Sequence, residues 1–523
     1  MNEILLRDNR QVIPRWHTSR KAFRFQYLAE KFDNGFQIEV DDFQIEDSLD
    51  NWCKKKTNHN AIDLFIRLKR TSKVDLPVFK EVSKYLQRNY SSLTPTLQNV
   101  ISSTLRYADR NETYATKHSE IYRIIGRLKR QVKLYADDAL TWMDLAFYYT
   151  IIDESLKAEK SATIGFLLAP THPFMASSYS RFLLHHNRPD EALSALKKTG
   201  LIKTHPLIAS ASLSIGAAFE VGKPNINIAR KILKNYKGNP VLISDLAASL
   251  GTIEIQNGAI KKGKKLLNSS LLYPSENTIA QCNWLRHKHD IQISGVSSIA
   301  AKSLESQATD YYVNKQFAEC SRTLMNLYSF QPFSEAPILD AGFLSVVGAR
   351  DPQFVIDISD KRIPKHQMSF SELNNLIVAK LQLGQSNELL SDIHLLSGKL
   401  DNESSRLIGT FQATVGMFEI ANGAIEDGCY SYELAIEQFK SNKDEQGLAI
   451  AQLFYAEQLL GIRGDKIPEL LVSSIELAKK NKLYVIAERA SKLKNAPYQK
   501  SETIKLESEH IYQNRFRIPK DII

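Results

Sequence analysis

The chain has 523 residues, of which 43% are hydrophobic and 24% charged, as in an ordinary folded protein. Gly (22) and Pro (17) are scarce, which argues against all-β, collagenous and low-complexity classes. The four cysteines lie far apart without a C-x-x-C, so the sequence favours neither a zinc ribbon nor a disulfide scaffold and indicates a reducing cytoplasm. The charged N-terminus and the absence of any run of 18 apolar residues predict neither a secretory signal nor membrane insertion.

The N-terminal 138 residues show an irregular, mostly helical pattern. Helical spacing runs over residues 18–32 and near residues 60–71, 77–89 and 94–108. Alternation at Phe36, Ile38 and Val40 is typical of a short strand. We interpret residues 1–138 as a basic cap on the rest of the chain or as a small separate domain, because terminal units of a repeat array need a polar outer face.

Trp16 stands out in the N-terminal arm, since the chain has only four tryptophans. An exposed Arg-Trp pair at Arg15 and Trp16 would anchor a partner protein. The alternative is that Trp16 docks the arm onto the first helices of the chain itself.

Positive charge is concentrated between residues 51 and 134. This block holds 18 Lys or Arg against six Asp or Glu, a net charge of +12, whereas the entire chain carries +10. Such asymmetry indicates a surface for nucleic acid, an acidic partner or anionic lipid, or else a solvated helical face without a partner. We name Arg67 and Arg70 as candidate contacts for an anionic partner.

The segment 118–134 carries the most ordered part of this charge. Ile121, Ile125, Leu128 and Val132 form the apolar stripe of an amphipathic helix. A second stripe on a neighbouring face is cationic, and its like charges repel one another unless a counter-charge is present. This cationic stripe consists of Arg123, Arg127, Arg130 and Lys133.

Internal repeats begin where the basic block ends. Pro170, Pro206, Pro240 and Pro274 are separated by 36, 34 and 34 residues, and each lies between two helix-like runs. A proline ends one helix and is tolerated in the first turn of the next. A period near 34 therefore predicts repeated pairs of helices with short turns.

The unit before Pro170 resembles the tetratricopeptide repeat, whose signature is W-x2-L-G-x2-Y, then A-x3-F, then P. Ala146 stands where that signature has Gly, and Ala162 where it has Phe. A second unit before Pro332 has the same register. The residues that carry the resemblance in the first unit are Trp142, Leu145, Ala146, Tyr149, Ala158, Ala162 and Gly165.

Two thirteen-residue segments repeat almost unchanged. Residues 251–263 and 416–428 are identical at eight of thirteen positions and share an Asn-Gly turn signal. We predict about ten helix pairs, arranged as a first stack over residues 139–294 and a second over 304–493. A Ser-, Ala- and Gly-rich joint lies between the stacks, and a loosely ordered tail follows over 494–523.

The resemblance implies an all-α fold, a right-handed α-solenoid whose first helices line a concave groove for a peptide or protein. In the first unit the residues that face this groove would include Met143, Phe147 and Thr150. The leading hypothesis is a non-enzymatic scaffold or adaptor that holds a partner protein and regulates an associated enzyme. A nucleic-acid-binding regulator that uses residues 51–134 is the alternative, and a homo-oligomeric array is a third.

The chain lacks an obvious catalytic or cofactor motif. Gly258 to Lys264 satisfies G-x-x-x-x-G-K, but Lys265 stands where the magnesium-binding Ser or Thr belongs, and no strand precedes it. The twelve histidines include two local clusters, at 185–186 and 287–289, which lack the additional ligands of a metal site. We therefore predict no enzyme activity, no cofactor and no metal, with residues 1–138 as the one region where chemistry stays open.

Overall fold

A computed structural model describes most of the chain. Within the described residues the chain forms 25 α-helices and no strand, so the predicted all-α class is confirmed. The predicted strand at 36–40, the helix at 94–108, all of the helix at 18–32 except residues 18–19, and all of the tail at 494–523 except residues 494–495 lie outside the described residues. Residues 494–495 belong to a helix and not to a loosely ordered tail. The described residues are 16, 18–19, 42–70, 77–93, 118–222, 225–237, 240–331, 333–359, 364–400, 405–460, 462 and 465–495.

The chain divides into two compact units, one made of Met1–His17 and Leu128–Ile523, the other of Thr18–Arg127. In the smaller unit, three helices pack around a core that contains Trp52, Phe65 and Phe79. The rings of Phe65 and Phe79 stack with centroids 5.1 Å apart. These three helices are α1 (Asp42–Lys54), α2 (Asn58–Arg70) and α3 (Pro77–Arg88).

The helix α4 (His118–Leu134) forms where the amphipathic pattern predicts it. Its predicted apolar stripe is buried, with between 3% and 9% of each side chain exposed. The opposite faces carry the basic side chains into solvent. Burial on one face and charge on the other explains why this segment is helical.

The larger unit continues as successive pairs of antiparallel helices, an α-helical repeat solenoid. The pairs of the first stack are α5 (Ala139–Ile151) and α6 (Ser155–Leu168), α7 (Pro173–His185) and α8 (Pro189–Lys198), α9 (Pro206–Phe219) and α10 (Ile226–Asn235), and α11 (Pro240–Gln256) and α12 (Ile260–Ser270). They are followed by α13 (Glu276–Lys288) and the single turn α14 (Val296–Ile299). This short α14 lies in the Ser-, Ala- and Gly-rich segment.

The second stack has the same construction. Its pairs are α15 (Leu304–Val313) and α16 (Phe317–Phe330), α17 (Ala336–Leu344) and α18 (Pro352–Ser359), α19 (Phe370–Gln382) and α20 (Leu390–Ser397), α21 (Ser405–Ala421) and α22 (Ile425–Ser441), and α23 (Glu445–Gln458) and α24 (Ile467–Lys480), before a last helix α25 (Tyr484–Asn495). A π-helical turn at Ser345–Ala349 extends α17. In the described part of residues 139–495 the helices thus form nine successive pairs, with α13, the single turn α14 and the last helix α25 outside them.

Helix boundaries in the stacks follow from local capping and proline chemistry. Pro173 and Pro206 open α7 and α9, where a missing backbone N–H costs nothing. The Asp138 side chain accepts a hydrogen bond from the Thr141 backbone N–H at the start of α5. Gly384 has φ +73° in the turn after α19, a left-handed conformation that glycine adopts without strain.

The two thirteen-residue copies form matching helix–turn–helix segments, α11–α12 and α21–α22. A Cβ added to Gly263 would lie 2.8 Å from the Gly251 carbonyl oxygen, and one added to Gly428 would lie 2.7 Å from the Gly416 carbonyl oxygen. The repeated glycines therefore let paired helices touch through their backbones. Because α11 and α21 are helices, neither copy has the strand that a phosphate-binding loop requires.

Candidate partner-binding groove

A cavity opens on the face that the first helices of the second stack present. It encloses about 980 Å³ including its open mouth. Four successive first helices, α17, α19, α21 and α23, contribute most of its wall. We call this cavity the second-stack groove. Its position along four repeats allows an elongated ligand to contact several units at once.

The walls of the second-stack groove are mainly apolar. Half-buried side chains from three repeats, Phe343, Val378 and Ile450, line it beside the more deeply buried Phe370 and Phe454. Apolar walls with a few placed polar groups are the usual composition of a protein's ligand site. The burial of apolar ligand surface would supply most of the affinity.

The polar lining of the second-stack groove offers hydrogen-bond donors. The Thr414 hydroxyl donates to Asn374 Oδ1 at 2.7 Å, which fixes the amide so that its Nδ2 group is the remaining donor. Asn375 Nδ2 instead donates to the Leu339 carbonyl oxygen at 3.1 Å and ties α19 to α17. Asn374 and Asn375 therefore differ in role, since the second holds neighbouring repeats together.

Arg406 is the only ionisable lining residue besides Tyr432. Its Nε lies 2.9 Å from Asp444, and its Nη2 donates to Asp444 and to Gln446 at 3.3 Å. The pair neutralises the charge of the guanidinium while Nη1 keeps donor capacity. The groove therefore has little net charge and favours acceptors such as peptide carbonyl oxygens.

Arg489 of α25 closes one end of this wall. It makes a bidentate pair with Glu457 at 2.6 and 2.7 Å, and its side chain is 11% exposed. Its Nη1 also donates to the carbonyl oxygens of Val346 and Val347 at 2.9 and 2.8 Å. The guanidinium lies 5.2 Å from the Phe454 ring centroid. These contacts join α25, α23 and the π-helical turn around the groove.

The first stack differs at the residues predicted to face a partner. Met143 and Phe147 are buried at 1% and 8% exposure, contrary to the accessible position expected of groove residues. Thr150 is half-buried, and its hydroxyl donates to the Ala146 carbonyl oxygen at 2.8 Å. Phe147 is covered because Trp16 of the same chain packs against it, with ring centroids 5.2 Å apart.

Hydroxyl side chains connect neighbouring first helices of the first stack. The hydroxyl of Ser249 lies 3.3 Å from that of Ser210 and 2.9 Å from that of Ser214, which joins α9 to α11. Ser244 and Thr278 likewise join α11 to α13 at 2.7 Å. The second stack has a matching contact, because Thr414, at the position that corresponds to Ser249, donates to Asn374 of α19.

The predicted basic residues lie in different environments. Arg67 pairs with Asp63 at 3.0 Å on α2, which offsets its charge, and the side chain of Arg70 lies outside the described residues. On α4 the cationic stripe of Arg123, Arg127, Arg130 and Lys133 is exposed, as the helical pattern predicts. Among the described residues no ion-pair partner is recorded for Arg127, Arg130 or Lys133.

Groups that would perform chemistry are not assembled in the described part of the chain. No group of three or more His, Cys, Asp or Glu there has the arrangement of a metal site. Cys282, Cys320 and Cys429 are buried, and burial raises the pKa of the Cys282 thiol to about 12. His287 lies 3.0 Å from Asp310, which also accepts from Asn283 and Arg286. That cluster joins α13 to α15.

Comparisons with known proteins give no name to this arrangement. No protein-family model matches the chain, and no curated protein matches it. Among the described helices, none combines the length and the apolar character needed to cross a bilayer.

The residues of the second-stack groove were not predicted from the sequence. The helix pairs that carry Asn374 and Arg406 are recognisable from their apolar spacing and from turns such as Gly384, but the tetratricopeptide signature is weakest there. The register of the repeats nevertheless contains a usable signal. If successive first helices are aligned in the same register, these residues fall on the helix face that carries Met143 and Phe147 in the first unit.

Proposed function

We propose that the protein is a non-enzymatic scaffold of the tetratricopeptide type that binds an extended segment of a partner protein in the second-stack groove. The observation that carries the proposal is the open apolar cavity shared by the first helices of four successive repeats. The proposed setting is the cytoplasm. Binding there would position or restrain an enzyme associated with the partner.

An extended apolar segment fits the groove better than a folded surface does. Each repeat contributes one or two half-buried apolar side chains, so affinity sums over several small contacts. Asn374 Nδ2 and Arg406 Nη1 provide donors for main-chain carbonyl oxygens of the bound segment. Because the lining carries one neutralised charge, strongly charged segments are disfavoured by desolvation.

The test is selection from a random peptide library displayed on phage, with the purified full-length protein as bait. We expect enriched peptides with apolar residues at alternating or regularly spaced positions. Ser371→Trp places a large ring at a half-buried lining position and should lower their affinity by about tenfold or more. Ser441→Trp, at the exposed end of α22, is the matched control and should leave the affinity unchanged.

A smaller change tests the polar contact. Asn374→Ala removes one donor, while Thr414 keeps its second acceptor, the Thr410 carbonyl oxygen at 3.1 Å. Peptide affinity should fall by about three- to tenfold, the value of one hydrogen bond. Peptides that bind Ser371→Trp as tightly as the wild type, or a library without enriched sequences, would contradict the proposal.

A second candidate function is nucleic-acid binding through α4. The observation that favours it is the exposed row of Arg127, Arg130 and Lys133 along one helix face. The logarithm of the affinity falls linearly with the logarithm of the salt concentration. For duplex DNA the slope becomes steeper by about 0.9 for each phosphate that a cation neutralises.

The measurement is fluorescence anisotropy with a labelled duplex and a labelled single strand over a range of salt concentrations. Charge reversal by Arg123→Glu, Arg127→Glu and Arg130→Glu should abolish binding and flatten its salt dependence. Reversal of Lys261, Lys264 and Lys265 on α12 is the control for net charge alone. If the wild type fails to bind either probe at low salt, this candidate is wrong.

A further inference from the structure

The side chain of Trp16 is fully enclosed within the larger unit. It is 0% exposed, although it belongs to the N-terminal arm and lies more than a hundred residues from the helices around it. Its ring meets Phe147 of α5, Phe182 of α7 and Phe333 of the link before α17, with centroids 5.2, 5.8 and 5.8 Å away. Phe147 and Phe182 make edge contacts of the kind that aromatic pairs prefer.

The described walls of the pocket around Trp16 come from the repeats. Phe147 and Phe182 come from first helices of two successive units, and Phe333 comes from the second stack. Phe147 and Phe333 also contact each other, at 5.6 Å and an angle of 90°. His185 lies with its ring 4.5 Å from Phe333 and extends the same wall. These contacts between wall residues do not involve Trp16, so the pocket is defined without it.

Polar contacts hold Trp16 only weakly. Gln331 Nε2 donates to the Trp16 carbonyl oxygen at 3.1 Å. The indole Nε1 is buried, and no described residue accepts a hydrogen bond from it. A buried donor without an acceptor makes the docked state less favourable than a fully paired one. Among the described contacts, the Trp16 side chain is therefore held by ring packing.

We propose that the pocket of Phe147, Phe182 and Phe333 is a recognition site for a tryptophan in an extended segment, and that Trp16 is its resident, displaceable ligand. Phe147 and Phe182 of this pocket lie on first helices of the first stack, and Phe333 lies in the link before α17. A competing segment with an acceptor near the indole N–H gains a bond that Trp16 lacks. Gln331 Nε2 then donates its hydrogen bond to the carbonyl oxygen of that segment. This site is separate from the second-stack groove and does not depend on the function proposed for it.

Full-length Trp16→Ala and a fluorescein-labelled peptide with the sequence of residues 11–21 test the proposal. The variant should bind the peptide at least about tenfold more tightly than the wild type, whose pocket is filled. The same peptide with its tryptophan replaced by alanine should not bind the variant. Trp142→Ala removes a tryptophan outside the pocket, one whose Nε1 donates to the Ala136 carbonyl oxygen, and should bind no better than the wild type.

A second variant keeps the proposal testable if Trp16→Ala does not fold. Trp16→Phe keeps an aromatic ring in the pocket, but the smaller ring holds the arm less firmly. It should bind the peptide of residues 11–21 about threefold more tightly than the wild type, because its own arm competes less well for the pocket. Equal peptide binding by the wild type and folded Trp16→Ala, or no peptide binding to Trp16→Ala, would overturn the proposal. If Trp16→Ala does not fold, peptide binding by Trp16→Phe that equals that of the wild type would overturn it.

Discussion

The first and second stacks share one repeat architecture and present opposite surfaces at equivalent first-helix positions. In the first stack Phe147 is covered by Trp16. In the second stack Phe343 and Phe454 line an open cavity. The repeat spacing therefore determines the helix pairs, while the side chains at a few positions decide whether the groove is closed by the chain itself or left open.

The two thirteen-residue copies show the same divergence in their charges. Glu254 of the first copy pairs with Arg230 and Lys262 at 2.6 and 2.8 Å. The equivalent Glu419 accepts only from the Ser431 hydroxyl among the described residues, at 2.7 Å. At the position of Lys262 the second copy has Asp427. The same carboxylate thus lies beside two cations in the first copy and near an acid in the second.

Among the substitutions that test the difference between the two stacks, we expect the largest loss of stability at Arg489. Arg489→Ala leaves Glu457, which is 13% exposed, without its partner and should lower the free energy of unfolding by about 4 kcal/mol. Urea denaturation measures the loss. Hydrogen exchange should locate it in α17, α23 and α25 and leave α5 to α9 unchanged.

Arg322→Ala is the control for Arg489, because its pair with Glu319 spans 4.0 Å at an exposed position and should contribute less than about 0.5 kcal/mol. Equal loss of protection in both stacks after Arg489→Ala would show that they do not behave as separate surfaces.

The next effect tests what the stacks have in common. Gly263→Val and Gly428→Val each force a side chain against a carbonyl oxygen of the partner helix and should destabilise the protein by about 3 kcal/mol. Thermal unfolding of the two variants checks whether the losses are alike. Gly126→Ala, in helix α4 with no atom within 4 Å of the added Cβ, should be stabilising by about 0.5 kcal/mol or more. A loss in only one copy would mean that the copies do not pack alike.

The smallest predicted effect concerns Glu254 and Glu419, whose pKa values are shifted in opposite directions. Burial alone would raise the pKa of Glu254, but Lys262 and Arg230 lower it below 4.5. Burial raises the pKa of Glu419 above 4.5, the nearby Asp427 adds to the rise, and the Ser431 hydrogen bond opposes it. Glu254→Gln should therefore be destabilising by about 2 kcal/mol at pH 7, and Glu419→Gln stabilising by about 0.5 kcal/mol.

The pH dependence of the two variants follows from the same shifts. The stability from ionised Glu254 is present above pH 4.5 and is lost as the pH falls through its lower folded pKa. The penalty of ionised Glu419 is present above its raised folded pKa and disappears as the pH falls toward 4.5. Urea denaturation at pH 7, 5.5 and 4 measures both. Changes of the same sign in the two variants would contradict the opposite environments.

Much of the fold follows from the sequence, because helix pairing depends on local patterns. Periodic prolines, the Asn-Gly turns and the apolar stripe of α4 predict helix positions within a few residues. The π-helical turn at Ser345–Ala349 has no local signal in the sequence. The contact of Arg489 with Val346 has none either, because it joins parts of the chain more than a hundred residues apart.

The groove was harder to predict for the same reason. Phe147 has the register of a residue that faces a partner, but its accessibility depends on Trp16, which is distant in sequence. Of the two roles considered for Trp16, the structure shows the indole docked onto the chain's own helices. The open cavity arises from bulky residues of four helices together, a property that no single repeat displays.

The most direct test of the account places a photo-crosslinking phenylalanine derivative at Val378 or at Phe147 in the full-length protein within its native host. At Val378 we expect a heavier, intermolecular adduct that disappears when Ser371→Trp fills the second-stack groove and persists with Ser441→Trp. At Phe147 we expect a crosslink to the segment around Trp16, found by peptide mass spectrometry without an increase in mass. Two results would contradict the distinction between a groove that the chain fills and one that it leaves for a partner. The first is an intermolecular adduct from Phe147 and none from Val378. The second is an adduct from Val378 that Ser371→Trp does not remove.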